Sequence, residues 1–187
     1  MRLRAMAFSI LCSVVGTCAG AATFVPDSFH TFVRFSYQHM GLSTQQSRFN
    51  RTTGELTYDA KAKLAAVDLV IDTTSVDTGS DLFNQEIQAV GMLDTKHFPT
   101  AHFRSTRVVF QGDSPANIEG QLTLKGITRP VTLAITSFKQ GLNWQKKDAI
   151  GADATATIKR SEFNMSEYVP TVSDEVVLSI AIEAVAQ

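Results

Sequence analysis

Apolar and polar residues alternate with a period of two along most of this chain. Val33, Phe35 and Tyr37 alternate with Arg34 and Ser36, so one face of an extended segment would be apolar. Similar runs of strand length occur at residues 48–59, 67–72, 100–110, 116–125, 129–139, 148–159 and 175–186. Together with the run at 31–38, they predict eight β-strands.

One segment between the third and fourth predicted strands has a different period. Within residues 81–90, apolar side chains recur near helical spacing at Leu82, Phe83, Ile87 and Val90. Thr78 and Asp81 have the spacing of a capping box, and Gly91 stands near the expected stop. The sequence therefore predicts one helix inserted between strands 3 and 4, beside the sheet or across one end of it.

Short connections favour antiparallel pairing of neighbouring strands. Lys125-Gly126 separates two predicted strands, and glycine readily takes the positive φ that a tight reversal needs. We therefore expect one all-β domain over residues 22–187, built as a sandwich or as an eight-stranded antiparallel barrel. Such a barrel has room inside for side chains alone or for one small ligand.

The alternation also predicts which side chains would line a barrel interior. They are nearly all apolar: Val33, Phe35, Leu56, Tyr58, Val67, Leu69, Ile71, Phe103, Leu122, Leu124, Leu133, Ile135, Val176, Leu178, Ile180 and Ile182. A filled core and a ligand cavity would show the same pattern, because both need an apolar inner face. Periodicity alone therefore favours neither.

The first residues have the features of a secretory signal peptide. Arg2 and Arg4 precede an apolar run from Ala5 to Val15, and small residues end the segment at Ala19-Gly20-Ala21. We expect cleavage after residue 21 and a periplasmic mature protein that begins at Ala22. Both cysteines of the chain lie within this segment, so the mature protein would contain no disulfide and no thiolate.

Composition argues against several classes of partner. Loss of the two signal-peptide arginines from the 17 Lys and Arg residues leaves 15 basic against 18 acidic residues, and no basic run is long enough to follow a phosphate backbone. We therefore expect no nucleic acid as partner. No apolar stretch after residue 21 approaches the length of a membrane span, so we expect no integral membrane segment in the mature form.

Motifs for catalysis, metals and cofactors are lacking in the sequence. His97 and His102 are five residues apart, which places them on opposite faces of a continuous strand, and His30 and His39 are separated by nine. No zinc-binding spacing, nucleophile elbow, phosphate loop or dinucleotide fingerprint occurs. We therefore expect no metal, no cofactor and no catalytic residue, with the histidines making ordinary hydrogen bonds.

An ordered set of segments resembles the YceI-like family. They are His30–Phe35 with His39-Met40-Gly41, Ile71–Thr78, Phe98-Pro99, Phe103–Thr106, Gly120–Val131, Ile158–Phe163 and Asp174–Val176. Together they span essentially the whole chain after residue 27. The resemblance implies an exported, lipocalin-like barrel that binds a polyisoprenoid or similar long-chain lipid.

The resemblance and the alternation together give a set of candidate ligand-binding residues. They are Val33, Phe35, Tyr37, His39, Leu56, Tyr58, Leu69, Ile71, Phe83, Ile87, Phe103, Leu122, Leu133, Arg160, Leu178 and Ile180. Arg160 has two interpretations: it closes the barrel end by bonding carbonyls or a carboxylate such as Asp72 or Asp77, or it contacts a polar ligand head. We favour the first.

The predicted helix departs from the family pattern. Where the family usually carries Arg-Asp-x-His-Leu and then Asp-Phe, this chain has Phe83-Asn84-Gln85-Glu86-Ile87 and then Gly91-Met92. Apolar, neutral and acidic groups thus replace basic and imidazole groups. If the helix borders the cavity mouth, the polar end of a ligand would meet a different environment here.

The function we expect is that of a periplasmic binding or carrier protein holding a long-chain isoprenoid of the quinone type, or a similar lipid. Burial of a chain of about 20 carbons, at ~0.8 kcal/mol per methylene, supplies enough transfer free energy without strong polar contacts. Alternatives are a fatty acid or fatty amide ligand, a non-catalytic stress-protective barrel with a packed core, and a small-molecule-modifying enzyme. The sequence is compatible with a monomer and with a homodimer.

Overall fold

The computed structural model describes residues 21–187 and consists almost entirely of one antiparallel sheet. The predicted signal peptide, except for its last residue, lies outside the described residues. The strands are β1 (Ala22–Pro26), β2 (Phe32–His39), β3 (Ser43–Phe49), β4 (Thr52–Asp59), β5 (Leu64–Asp72), β6 (Val76–Asp77), β7 (Thr100–Gln111), β8 (Ser114–Leu124), β9 (Ile127–Leu142), β10 (Asp148–Lys159) and β11 (Glu175–Ala186). The helix α1 spans Asp81–Ile87, and 3₁₀ turns form at Thr73–Ser75 and Arg160–Phe163.

The sheet closes on itself as an eight-stranded barrel. β11 pairs with β10 along one edge, and β2 and β1 share its other edge in succession. β3 and β4 likewise share the next position, because β2 pairs with β3 and β1 with β4. The remaining positions run through β5, β7, β8, β9 and β10. The predicted all-β, eight-stranded antiparallel barrel is therefore confirmed. The alternative of a sandwich is excluded, because the strands form one closed sheet.

The prediction of one continuous strand over residues 48–59 is wrong. The chain bends at Asn50 and Arg51, whose backbone N–H groups both donate to the Ser75 hydroxyl, at 3.1 and 3.0 Å. The bend separates β3 from β4. At the bend, the Ser75 hydroxyl accepts the hydrogen bonds that a neighbouring strand would otherwise accept. The sequence also failed to predict the five residues of β1, which complete the closure.

The predicted helix is present between the third and fourth barrel positions but is shorter than predicted. It ends at Ile87 instead of residue 90, since Leu93 and Asp94 donate to the carbonyls of Ile87 and Ala89 in a series of turns. The N-cap is Ser80, whose hydroxyl accepts from the Phe83 N–H, and not the predicted Thr78.

The β8–β9 reversal has the geometry that the sequence predicts. Lys125 and Gly126 both have positive φ, 49° and 73°, as a two-residue hairpin turn requires. This turn, the β2–β3 turn, the β10–β11 connection and α1 all lie at one end of the barrel.

The opposite end of the barrel is filled by aromatic rings. Tyr58 packs against Phe138 and Phe110 with centroid distances of 5.0 and 6.5 Å, and Phe24 beside them is 1% exposed. Within residues 21–187 we find no helix with the length and apolarity needed to cross a bilayer.

Candidate ligand-binding cavity

An apolar cavity of about 510 Å³ occupies the barrel interior at the end next to α1. Its volume lies within the range of small-molecule sites in proteins. Strands β2, β3, β5, β7, β8, β10 and β11 supply its wall, while α1 and the segment 165–172 border its opening. The exposed side chains of Met40, Glu86 and Tyr168 mark that opening. The barrel interior is therefore packed with side chains at one end and contains an open cavity at the other.

Ten of the residues proposed from the sequence to bind a ligand line this cavity. They are Val33, Phe35, Tyr37, His39, Ile71, Phe83, Ile87, Leu122, Arg160 and Leu178. They come from four strands, one 3₁₀ turn and the helix, and closure of the barrel brings them together.

The structure places the other six proposed residues outside the cavity. They are Leu56, Tyr58, Leu69, Phe103, Leu133 and Ile180, and all belong to or pack against the hydrophobic core. Their side chains point into the barrel, as the alternation predicts. They are packed within or against the core instead of facing the cavity, so the structure does not bring them to the cavity wall.

Several lining residues were missed as candidates. Met92, Leu93, Met165, Thr171 and Val172 belong to connections without a period-two pattern, so no periodicity could assign them to an interior. Glu86 was noted only as a departure from the family pattern. Leu124 and Val176 were on the predicted inner face but were not selected.

The helix presents an apolar side to the cavity. Phe83 and Ile87 are four residues apart, and both line it, whereas Gln85 is exposed. The sequence predicts this orientation. Glu86 also reaches the lining, which places a carboxylate at the edge of an otherwise apolar wall.

The Arg160 side chain holds the connection between β10 and β11 against the barrel end. Its Nε donates to the Ser173 carbonyl at 2.9 Å, one Nη to Met165 O at 2.8 Å and the other to Val172 O at 3.1 Å. Arg160 is 5% exposed, and burial lowers the pKa of its guanidinium, with Asp174 opposing that effect. The interpretation in which Arg160 bonds carbonyls is therefore confirmed.

Neither of the carboxylates suggested for Arg160 is its partner. Asp72 pairs with Arg51 at 2.7 Å, and Asp77 lies 3.4 Å from Arg48. Contact between Arg160 and a ligand head stays a prediction, supported only by its place in the cavity wall.

A buried lysine joins the two segments that border the opening. The Lys125 ammonium donates to the Val90 carbonyl at 2.8 Å and to the Asn164 carbonyl at 2.9 Å. Burial lowers the pKa of this lysine, and the charges of Asp94 and Glu167 partly oppose the shift. This turn residue thus ties the α1 segment to the β10–β11 connection.

Two carboxylates near the opening act on the tyrosines beside them. Glu167 and Glu86 raise the pKa of the exposed Tyr168 phenol. Burial raises the pKa of Tyr37 in the cavity wall, where Arg160 lowers it and Glu86 raises it further. A ligand head at this level would therefore meet the Glu86 carboxylate and the Arg160 guanidinium, which already donates to three carbonyls.

Three histidines pair with aspartates, as expected for ordinary hydrogen bonding. His30 and His97 lie 2.7 and 2.8 Å from Asp27 and Asp94, and His102 contacts Asp68. Within residues 21–187, the side chains of Asp27, His30 and Glu183 also form a cluster whose nitrogen and oxygen atoms lie within 4.8 Å of one another. Sequence spacing could not show this cluster, because Glu183 is distant in the chain.

Comparisons with known proteins agree with this architecture. The YceI-like domain model matches residues 24–184. The protein YceI of Escherichia coli O6:H1 is 39% identical over 160 residues, covering 84% of this chain and 83% of that protein.

Two solved structures share the fold. The structure of BcnA from Burkholderia cenocepacia has a TM-score of 0.74 at 24% identity, with 84% of this chain and 98% of that chain covered. A polyisoprenoid binding domain from Saccharophagus degradans, implicated in plant cell wall breakdown, has a TM-score of 0.67 at 16% identity, with coverages of 89% and 99%. On the extent of the domain match and the identity to YceI, this chain belongs to the YceI-like family.

Proposed function

We propose that this protein is a non-catalytic carrier that holds one isoprenoid-type lipid in the barrel and works in the periplasm. The observation that supports this most strongly is the apolar cavity of about 510 Å³, open at one end and closed at the other. A lipid chain would enter past α1 and replace water against Phe, Leu, Ile and Val side chains. Its affinity would come from buried apolar area.

Membership of the family and the similarity of fold to a polyisoprenoid binding domain support an isoprenoid ligand. The cavity wall suits such a branched chain, because it combines aromatic rings with branched aliphatic side chains. Phe35 packs on Phe49 with a centroid distance of 5.4 Å, and Val33, Ile71 and Leu178 surround them.

The charges at the opening favour an uncharged ligand head. The Glu86 carboxylate in the cavity lining would repel a carboxylate or a diphosphate. The Arg160 guanidinium already donates to three carbonyls and has the Asp174 carboxylate as its counter-charge. An alcohol or a quinone carbonyl carries no charge to repel. A fatty acid is disfavoured because its carboxylate would be repelled. A fatty amide is uncharged and differs from the proposed ligand in having an unbranched chain.

Export to the periplasm is supported by the signal-like N-terminal segment and by the extent of the barrel. β1 begins at Ala22, directly after the expected cleavage site, and pairs with β4 and β11 to close the sheet. Removal of residues 1–21 would leave every strand of the barrel intact.

Mass spectrometry of natively purified protein tests both parts of the proposal. Protein from the periplasmic fraction should have the mass of residues 22–187 under denaturing conditions, and native spectra should show one added lipid per chain. Organic extraction should release an uncharged isoprenoid lipid, and an unrelated periplasmic protein purified in parallel should release none. A mass that retains residues 1–21 would contradict export, and an unbranched fatty chain or an empty protein would contradict the ligand.

A further inference from the structure

A cluster of three side chains, Asp27, His30 and Glu183, lies on the outside of the barrel and takes no part in the lining of the cavity. The nitrogen and oxygen atoms of this outer cluster lie within 4.8 Å of one another. We propose that the outer cluster binds one Zn²⁺ ion, which joins the β1–β2 connection to β11. Because the site is separate from the cavity, the inference does not depend on the proposed lipid ligand.

Two hydrogen bonds hold the β1–β2 connection, residues 27–31, against β11. The Asp27 N–H donates to the Glu183 carbonyl at 2.8 Å, and the Thr31 hydroxyl donates to the same carbonyl at 3.0 Å. Thr31 is buried, and it is 152 positions away from Glu183 in the chain. The fold therefore fixes the backbone positions of the outer cluster, and no spacing within the sequence could predict this approach.

The donor atoms of the outer cluster are of the kinds that zinc binds. Zn²⁺ takes imidazole nitrogen and carboxylate oxygen at about 2.0–2.2 Å, so two ligand atoms of a tetrahedral site lie about 3.3 Å apart. His30 Nδ1 and Asp27 Oδ2 are 2.7 Å apart, and an increase of about 0.6 Å would admit the ion. The carboxylate of Glu183, on an exposed side chain, would be the third protein ligand.

A hydrogen bond already orients the Asp27 carboxylate. Its Oδ1 accepts from the Phe29 N–H at 2.9 Å, while its Oδ2 faces His30. Ligating carboxylates are typically held by such outer hydrogen bonds. Without metal, a proton lies between His30 Nδ1 and Asp27 Oδ2. The Zn²⁺ ion would take its place, and the proton would leave to solvent.

The charge of the third group distinguishes the outer cluster from another histidine–aspartate pair of the barrel. Where His102 contacts Asp68, the guanidinium of Arg104 lies 3.3 Å from the carboxylate and supplies a positive charge. In the outer cluster the third group is the Glu183 carboxylate. Within residues 21–187 this carboxylate has no hydrogen bond and no ion pair of its own. A divalent cation would balance the two carboxylates.

The outer cluster borders a groove on the outer face of β9, β10 and β11. The groove has a volume of about 420 Å³, and His30 and Glu183 are among its lining residues. Gly151 pairs with Glu183 and leaves space beside it, whereas Lys139 of the groove is separated from Glu183 by β10. Water in the groove would supply the fourth zinc ligand, as in sites with three protein ligands.

Zinc titration of the mature protein tests the proposal. The protein is prepared without a polyhistidine tag, stripped of metal with EDTA and titrated with ZnCl₂ by isothermal titration calorimetry. We expect one Zn²⁺ per chain, and zinc should raise the melting temperature, because a ligand of the folded state stabilises it by mass action. Mg²⁺ at the same concentration should have neither effect, since it prefers oxygen ligands.

Three variants locate the ion. His30→Ala and Glu183→Gln should each weaken zinc binding at least about tenfold, since loss of even an outer-shell partner costs about 10–100-fold in metal affinity. His97→Ala is the matched control, because His97 pairs with Asp94 at the same spacing and at 2.8 Å. The charge near that pair is the Lys125 ammonium instead of a carboxylate. The control should change zinc affinity by less than about twofold.

Three results would overturn the proposal: a wild type that binds no zinc, equal losses of affinity in His30→Ala and His97→Ala, or Mg²⁺ binding that equals zinc binding and survives His30→Ala. The last result would indicate attraction to negative charge alone. Should His30→Ala fail to fold, Glu183→Gln decides the question, because it keeps the Glu183 carbonyl and both of its contacts. Unchanged zinc affinity in that variant would contradict the site.

Discussion

Glu86 places a carboxylate at the opening of the cavity. It occupies the place on the helix where the YceI-like pattern noted above has an imidazole, and its carboxylate lines an otherwise apolar cavity. Together with Glu167 it raises the pKa of Tyr168. One side chain thus changes the charge that a ligand head meets.

Replacement of the Glu86 carboxylate should change the affinity for a charged ligand head and leave the affinity for the isoprenoid chain unchanged. In Glu86→Gln, the affinity for farnesyl diphosphate should increase about fivefold, since removal of one nearby like charge is worth about 1 kcal/mol in a water-exposed site. Farnesol binding should stay the same. Displacement titrations with both lipids measure the two affinities.

Glu55→Gln is the matched control, because Glu55 is exposed on β4 and lies outside the cavity lining. An equal gain in diphosphate affinity for both variants would mean that net charge, and not the position of Glu86, controls the effect.

At this scale the sequence predicts the apolar wall better than the polar contacts. Alternation assigns Val33, Phe35 and Leu178 to the inner face, where the structure places them. It has no means of finding the Lys125 contacts, since they join a turn to two carbonyls 35 and 39 residues away. Such contacts depend on tertiary structure and leave no local pattern.

Among the elements, α1 and the segment that follows it form one side of the cavity opening. The helix has only seven residues, too few for stability on its own, so its position depends on packing and on the Lys125 link to Val90. Phe83 and Ile87 contribute that packing and also face the lipid site.

A charge on the inner side of the helix should therefore impair binding more than a charge on the outer side. Phe83→Asp places a carboxylate in an apolar wall and should weaken farnesol binding at least about tenfold. Gln85→Asp adds the same charge at an exposed position and should change it by less than about twofold. Displacement titration of the delipidated variants measures both, after circular dichroism has shown that each is folded. Equal affinities would place the helix outside the binding path.

The barrel elements were predictable where strands are long and alternate regularly. β10 and β11 match the predicted bounds residue for residue, at 148–159 and 175–186. β1 was missed because five residues carry too little pattern, and the β3–β4 break because it depends on the Ser75 hydroxyl from another segment. The helix end was misplaced because local turns replace its last residues.

The molecule as a whole divides its interior between a core and a cavity, and that division was beyond the sequence. Phe35 and Leu69 have the same pattern and both point inward, yet Phe35 lines the cavity and Leu69 is 8% exposed within the packed core. Aromatic rings at one end of the barrel decide which inner positions stay open. Their arrangement follows from strand register and closure.

Enlargement of these two side chains tests the central claim most directly. In Phe35→Trp the larger ring should fill space that the lipid needs, so the delipidated variant should be about as stable as delipidated wild type but should take up little farnesol. In Leu69→Trp the larger ring meets packed neighbours and should lower the free energy of unfolding by ~1–3 kcal/mol. Both proteins must be compared without lipid, because a bound ligand stabilises by mass action.

The measurement is farnesol uptake by delipidated wild type and Phe35→Trp, with the free energy of unfolding determined by urea denaturation in the same samples. A lipid-holding cavity predicts uptake of one farnesol per wild-type chain, strongly reduced uptake by the variant, and equal stability of the two empty proteins. A large loss of stability in Phe35→Trp, with no uptake by the wild type, would show a packed core where we infer a lipid site.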